Sequence, residues 1–105
     1  MPKISNGDPS AQLAYAQQLL VEYLRVDVEL AFTLLRMAEI EEAADSPTRK
    51  LAALAKVREA LSAIRHLTGR ILNPTTWSEI HAKANELERA LKAFEKSNPK
   101  SRTHN

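Results

Sequence analysis

Apolar residues recur along this chain at steps of three and four, the period of one face of an α-helix. The first periodic stretch runs from Pro9 to Ala44 and carries Leu13, Ala16, Leu20 and Tyr23, then Leu30, Leu34 and Ala38. Position 27 falls on the same stripe and is Asp, which leaves two readings open. Asp27 caps a new helix after a break near Arg25-Val26, or it is a polar residue in the seam of one continuous helix. A tight helical reversal uses Gly, Asn or Pro, and Arg25-Val26-Asp27 offers none. The pattern therefore predicts one continuous or gently bent helix, opened by Asp8 as N-cap and Pro9 as first helical residue.

Ala44-Asp45-Ser46-Pro47 is the clearest turn, with Ser46 placed to cap a second helix and Pro47 to begin it. That helix is predicted to run to about Thr68, with Leu51, Leu54, Val57, Leu61, Ile64 and Leu67 as its stripe. Gly69 suits a left-handed residue just past the helix end; the alternative is an extension to Leu72, closed by Asn73-Pro74. Thr76-Trp77-Ser78-Glu79 has the form of a capping box. It introduces a third helix with Trp77, Ile80, Ala84, Leu87, Leu91 and Phe94 in alternating steps of three and four.

The expected fold is an all-α, antiparallel three-helix bundle with a long first helix. A four-helix bundle is the alternative if the chain breaks near residue 26. Residues 1–8 are expected to be disordered, residues 9–96 to form a single helical domain, and residues 97–105 to be a disordered basic tail. At 1.5 Å per residue the first helix is about 54 Å long and the others about 30–35 Å. The N-terminal half of the first helix, with Tyr15 among its apolar residues, should then project past the bundle. Its apolar surface needs a partner, so Leu13, Ala16, Leu19, Leu20 and Tyr23 are the candidate interface of a homodimer.

Composition sharpens this picture in three ways. The two Gly and five Pro sit at or near the edges of the periodic segments, and aromatics are only 5% of residues, which favours helix over sheet. There is no Cys, so neither a disulfide framework nor a thiolate metal site is available. MPKISNGDPS lacks the apolar run of a signal peptide and no long uncharged apolar segment occurs, so a cytoplasmic protein without a membrane span is expected.

The net charge of +2 is unevenly spread. Residues 9–46 carry seven acids against Arg25 and Arg36, and residues 47–105 carry twelve Lys and Arg against five Glu. One account is that an acidic first helix lies beside a basic second one. The other is an anionic partner: Arg49, Lys50, Lys56, Arg58, Arg65 and Arg70 stud the second helix and its end, as phosphate binding requires. No recognition-helix turn or stacking aromatic set accompanies them, so nucleic-acid association is the second of the two expectations.

Catalytic chemistry finds no foothold. His66-Leu67-Thr68-Gly69 lacks the Lys that follows the reactive His in histidine phosphotransfer helices, and its Gly comes one position early. The Glu-x-x-His pairs of di-iron bundles do not occur, and Glu79 and His81, two apart, point to different faces. No enzyme activity, metal or cofactor is expected. The Ala-rich hairpin from Leu30 to Leu67, with Ala38 on its first helix and Ala53, Val57 and Ala60 on its second, resembles the helix-turn-helix unit of tetratricopeptide-like interaction domains. That resemblance implies a protein-binding scaffold without catalysis. The expected role is therefore a self-associating protein–protein interaction or assembly module, whose protein partner the sequence does not identify.

Overall fold

A single helix, α1, runs unbroken from Pro9 to Ala43 and passes straight through Asp27 in the computed structural model, which describes residues 9–96. Two shorter helices follow, α2 (Pro47–Thr68) and α3 (Pro74–Lys96), and no strand occurs among the described residues. The expected Asp8 cap and the two expected disordered ends lie outside the described residues. The structure is the all-α three-helix bundle with a long first helix. The break near residue 26 that would have made four helices does not occur.

Each helix begins with Pro at its first position, where the missing N–H leaves no hydrogen bond unmade. The turn between α1 and α2 is closed by a Schellman motif. The Ser46 N–H donates to the Glu41 carbonyl at 2.9 Å and the Asp45 N–H to the Glu42 carbonyl at 3.0 Å. Asp45 supplies the left-handed residue this motif needs, with φ at 59°. Gly69, expected to play that part for α2, is instead right-handed at φ −62°, ψ −13°. The chain leaves α2 through two tighter turns, Arg70 N–H to the Leu67 carbonyl (2.9 Å) and Ile71 N–H to the Thr68 carbonyl (3.0 Å). These satisfy the helix end without a change of hand. Ser46 occupies the N-cap position of α2 but makes no side-chain cap bond.

α3 starts three residues earlier than its capping-box signature predicts. Asn73 is the N-cap: its Oδ1 accepts from the Thr76 N–H at 3.0 Å, while Pro74 takes the first helical position. Glu79, released from the box, reaches across to α1 and binds Arg25 through two hydrogen bonds of 2.9 and 3.2 Å.

Packing follows from which side chains are small. α2 lies closest to α1, with Ala31 and Ala38 on one helix and Ala53 on the other, all buried. Around them Leu24, Ile64, Ile80, Leu87 and Val57 are the largest side chains with almost no access to water. Full burial of a side chain of this kind contributes roughly 1.5–3 kcal/mol. α3 buries Ile80, Ala84, Leu87 and Leu91, as its stripe predicts; Phe94 is half-buried and Trp77 stays partly open. On α2 the stripe holds at Leu54, Val57 and Ile64, but Leu51 faces solvent.

At the far end of the bundle Gln17 clamps the α2–α3 turn. Its side-chain amide donates to the Arg70 carbonyl at 3.0 Å and accepts from the Leu72 N–H at 2.9 Å. The turn thus reaches back to the level of Gln17, and only about two turns of α1 extend beyond it, rather than the expected half of the helix.

Candidate functional site

α1 is unusual within this fold because apolar residues occupy two of its faces. The face turned to α2 and α3 carries Leu24, Val28, Ala31, Leu35 and Ala38, all buried. Roughly opposite, at about 100° per residue, lie Leu19, Tyr23, Val26, Leu30, Met37 and Ile40, all exposed. Val26 is 67% exposed and Ile40 60% exposed. Thr33 fills the remaining position between Leu30 and Met37 and is exposed too. From Leu19 to Ile40 the steps are four, three, four, three, four and three, the spacing of a helix–helix seam.

The sequence-derived interface maps onto this surface only in part. Leu13, Ala16, Leu19 and Tyr23 are exposed. Leu20 is half-buried against the core, so it belongs to the inner packing rather than to the open face. Leu30, expected as a core residue, is open to water. The expected inner stripe was thus rotated from the real one by about a fifth of a turn. Val26, Met37 and Ile40 did not enter the expected interface. A second three-and-four alternation, starting at Leu19, is the signal that marks them.

The basic residues of α2 are largely committed to carboxylates within the bundle. Lys50 is buried and its Nζ lies 2.7 Å from Oε1 of Glu42 on α1. Arg49 stands 4.0 Å from Glu41 on the same helix. Arg58 pairs with Glu95, and Arg65 pairs with Glu88 and also donates to Asn85 at 3.0 Å. Lys56 and Arg70 remain exposed. The charge asymmetry of the chain is therefore partly neutralised between neighbouring helices, with α1 and α3 both supplying acids.

Electrostatic perturbations are small and local. Hydrogen bonding to Arg25 holds the Glu79 carboxyl below the usual range and raises the Arg25 guanidinium. Hydrogen bonds from Lys92 and then Arg65 lower Glu88. Burial alone pushes Asp27 up. None of these carboxylates stands beside a His or a hydroxyl in a nucleophile–base arrangement, and Glu79 and Glu88 serve helix-to-helix ion pairs.

The remaining concavities are shallow. One, of about 220 Å³, is lined by Arg65, Thr68, Gly69, Trp77, His81 and Ala84. In it the Trp77 and His81 rings stack at 4.5 Å with a 12° tilt, one turn apart on α3. His66 is exposed on α2 and belongs to no such pair. Among the described residues no group of three or more His, Asp or Glu is placed to hold a metal ion. No described helix is long and apolar enough to cross a membrane. Among the described residues, packing inside the chain leaves the open apolar face of α1 unexplained.

Comparison with known proteins adds no analogy: no protein-family model, curated protein or solved structure matches the chain.

Proposed function

We propose that this chain is a self-associating protein–protein interaction module that works by helix packing and carries out no catalytic step. The observation that carries this reading is the exposed apolar stripe of α1, on the side of the helix away from the bundle core. The largest exposed apolar patch on a soluble monomer is typically about 300–600 Å² and is often functional. An assembly role in the cytoplasm fits the Cys-free composition. The small buried residues Ala38, Ala53 and Val57 suit the scaffold that the tetratricopeptide-like resemblance implies.

The solution mass by light scattering at low and high salt tests this. A species of twice the 11.7 kDa chain mass, stable to salt, is the expected result, since apolar interfaces do not weaken with ionic strength as phosphate contacts do. A monomer at all concentrations, or a complex that forms only at low salt, would overturn it.

A further inference from the structure

The open stripe of α1 has charged borders that specify a partner. On one side Glu22, Glu29 and Arg36 recur at seven-residue steps, and all three are exposed. On the other side Asp27, Leu34 and Glu41 are half-buried. In a helix–helix seam these two borders are the flanking positions that set orientation and register. A symmetric pairing requires that the surface complement itself.

We infer that this stripe binds the same stripe of a second copy of the chain, antiparallel, with Leu30 of each layered against Thr33 of the other. The inference deepens the self-association proposed above and rests on that reading. In this register Val26 packs against Met37 of the partner subunit and Tyr23 against Ile40 of the partner subunit. Glu29 comes beside Arg36 of the partner subunit, twice by symmetry, and no two like charges meet along the borders. The alternatives fare worse. A parallel pair sets Glu22 beside Asp27 of the partner subunit on both sides. An antiparallel pair shifted by one heptad sets Glu29 against Glu29, and Asp27 against Asp27, at the symmetry axis. Like charges at flanking positions discriminate against a pairing even where they add little to the favoured one.

The size of the surface suits a dimer that depends on concentration. In this register the overlap runs from Tyr23 to Ile40, about 26 Å, and each helix is about 10–12 Å wide with its side chains. The strip therefore covers about 300 Å² per chain, less than the roughly 800 Å² that a standard specific interface buries on each side, which makes the pairing a weak, concentration-dependent one. Two-thirds exposure of Val26 in the single chain means that a charge placed there leaves the bundle core intact.

Sedimentation equilibrium of the full chain over a concentration series, with circular dichroism to confirm helicity, tests the pairing. Val26→Glu should keep its helicity and weaken the dimer at least about tenfold, as a charge forced into an apolar seam does. Glu29→Arg and Arg36→Glu should each weaken it several-fold, and the double exchange should restore it to within about threefold of wild type. A wild-type chain that never dimerises overturns self-association and this pairing with it. A dimer indifferent to Val26→Glu leaves self-association standing but overturns the stripe as its site. A dimer that Val26→Glu breaks but the double exchange fails to restore overturns the antiparallel register.

Discussion

Lys50 and Glu42 form the most enclosed ion pair described in the bundle, 2.7 Å apart with side chains 8% and 19% exposed, tying the start of α2 to the end of α1. Removing two charges from water costs several kcal/mol, and their attraction repays it only while both are present. Glu42→Ala should therefore cost about 3 kcal/mol, because it strands a buried ammonium. Lys50→Met, which fills the same space without a charge, should be close to neutral when accompanied by Glu42→Gln. Chemical denaturation of the two variants checks the asymmetry.

The two turns predict opposite responses to Ala. Asp45 is left-handed, so Asp45→Ala should destabilise by about 1 kcal/mol, the cost of placing an ordinary side chain in that region. Gly69 is right-handed, and a Cβ there would meet only the His66 carbonyl oxygen at 3.5 Å, an ordinary contact. Gly69→Ala should stabilise by about 0.4–1 kcal/mol by restricting the unfolded chain. Thermal melts of both variants against the parent chain decide it.

Asp27 and the carboxylates of α3 should act on stability in opposite senses as pH changes. Burial raises Asp27 in the folded state. Its contribution to stability is therefore present below its unfolded pKa and is lost as pH rises through the raised folded value. Glu79 and Glu88 are lowered by their hydrogen bonds to Arg25, and to Lys92 and Arg65. Their contributions are present above the ordinary carboxylate pKa and are lost as pH falls through the lowered values. Asp27→Asn should accordingly raise the melting temperature at pH 7, with the gain vanishing in acid. Glu79→Gln should lower it at pH 7 and leave it unchanged at about pH 2.

The two faces of α1 separate in a pair of truncations. Leu24 has no solvent access, so Leu24→Ala should cost about 2–5 kcal/mol through lost transfer energy and the cavity left behind. Leu30 is 50% exposed, so Leu30→Ala should change single-chain stability by no more than about 0.5 kcal/mol. Urea denaturation at high dilution measures both. A large effect at Leu30 under those conditions would mean that the outer face is already covered within one chain.

Much of the fold is legible in the sequence. Pro9 and Pro47 at first helical positions, the turn at Ala44-Asp45-Ser46-Pro47, and the long Gly-free run from Pro9 determined three helices and their bounds to within about three residues, the start of α3 being the least exact. These are local signals: steric and hydrogen-bonding constraints that act within a few residues of the chain. Cap chemistry was less secure, since Asn73 and Thr76 both suit an N-cap, and Pro74 decided for the earlier one by extending the helix back to itself.

The sequence by itself determined that α1 is a helix, but only the tertiary structure decided which way it faces. Leu24, Val28, Ala31 and Leu35 on one side, and Leu19, Tyr23, Val26 and Leu30 on the other, both recur at helical steps, so periodicity cannot rank them. The choice falls to packing. Ala31 and Ala38 let α2 approach closely, and Arg25 on the α3 side meets Glu79. The same is true of the basic residues: their number was visible in the chain, but that Lys50 is buried against Glu42 while Lys56 stays open depends on the neighbours that the fold brings to each.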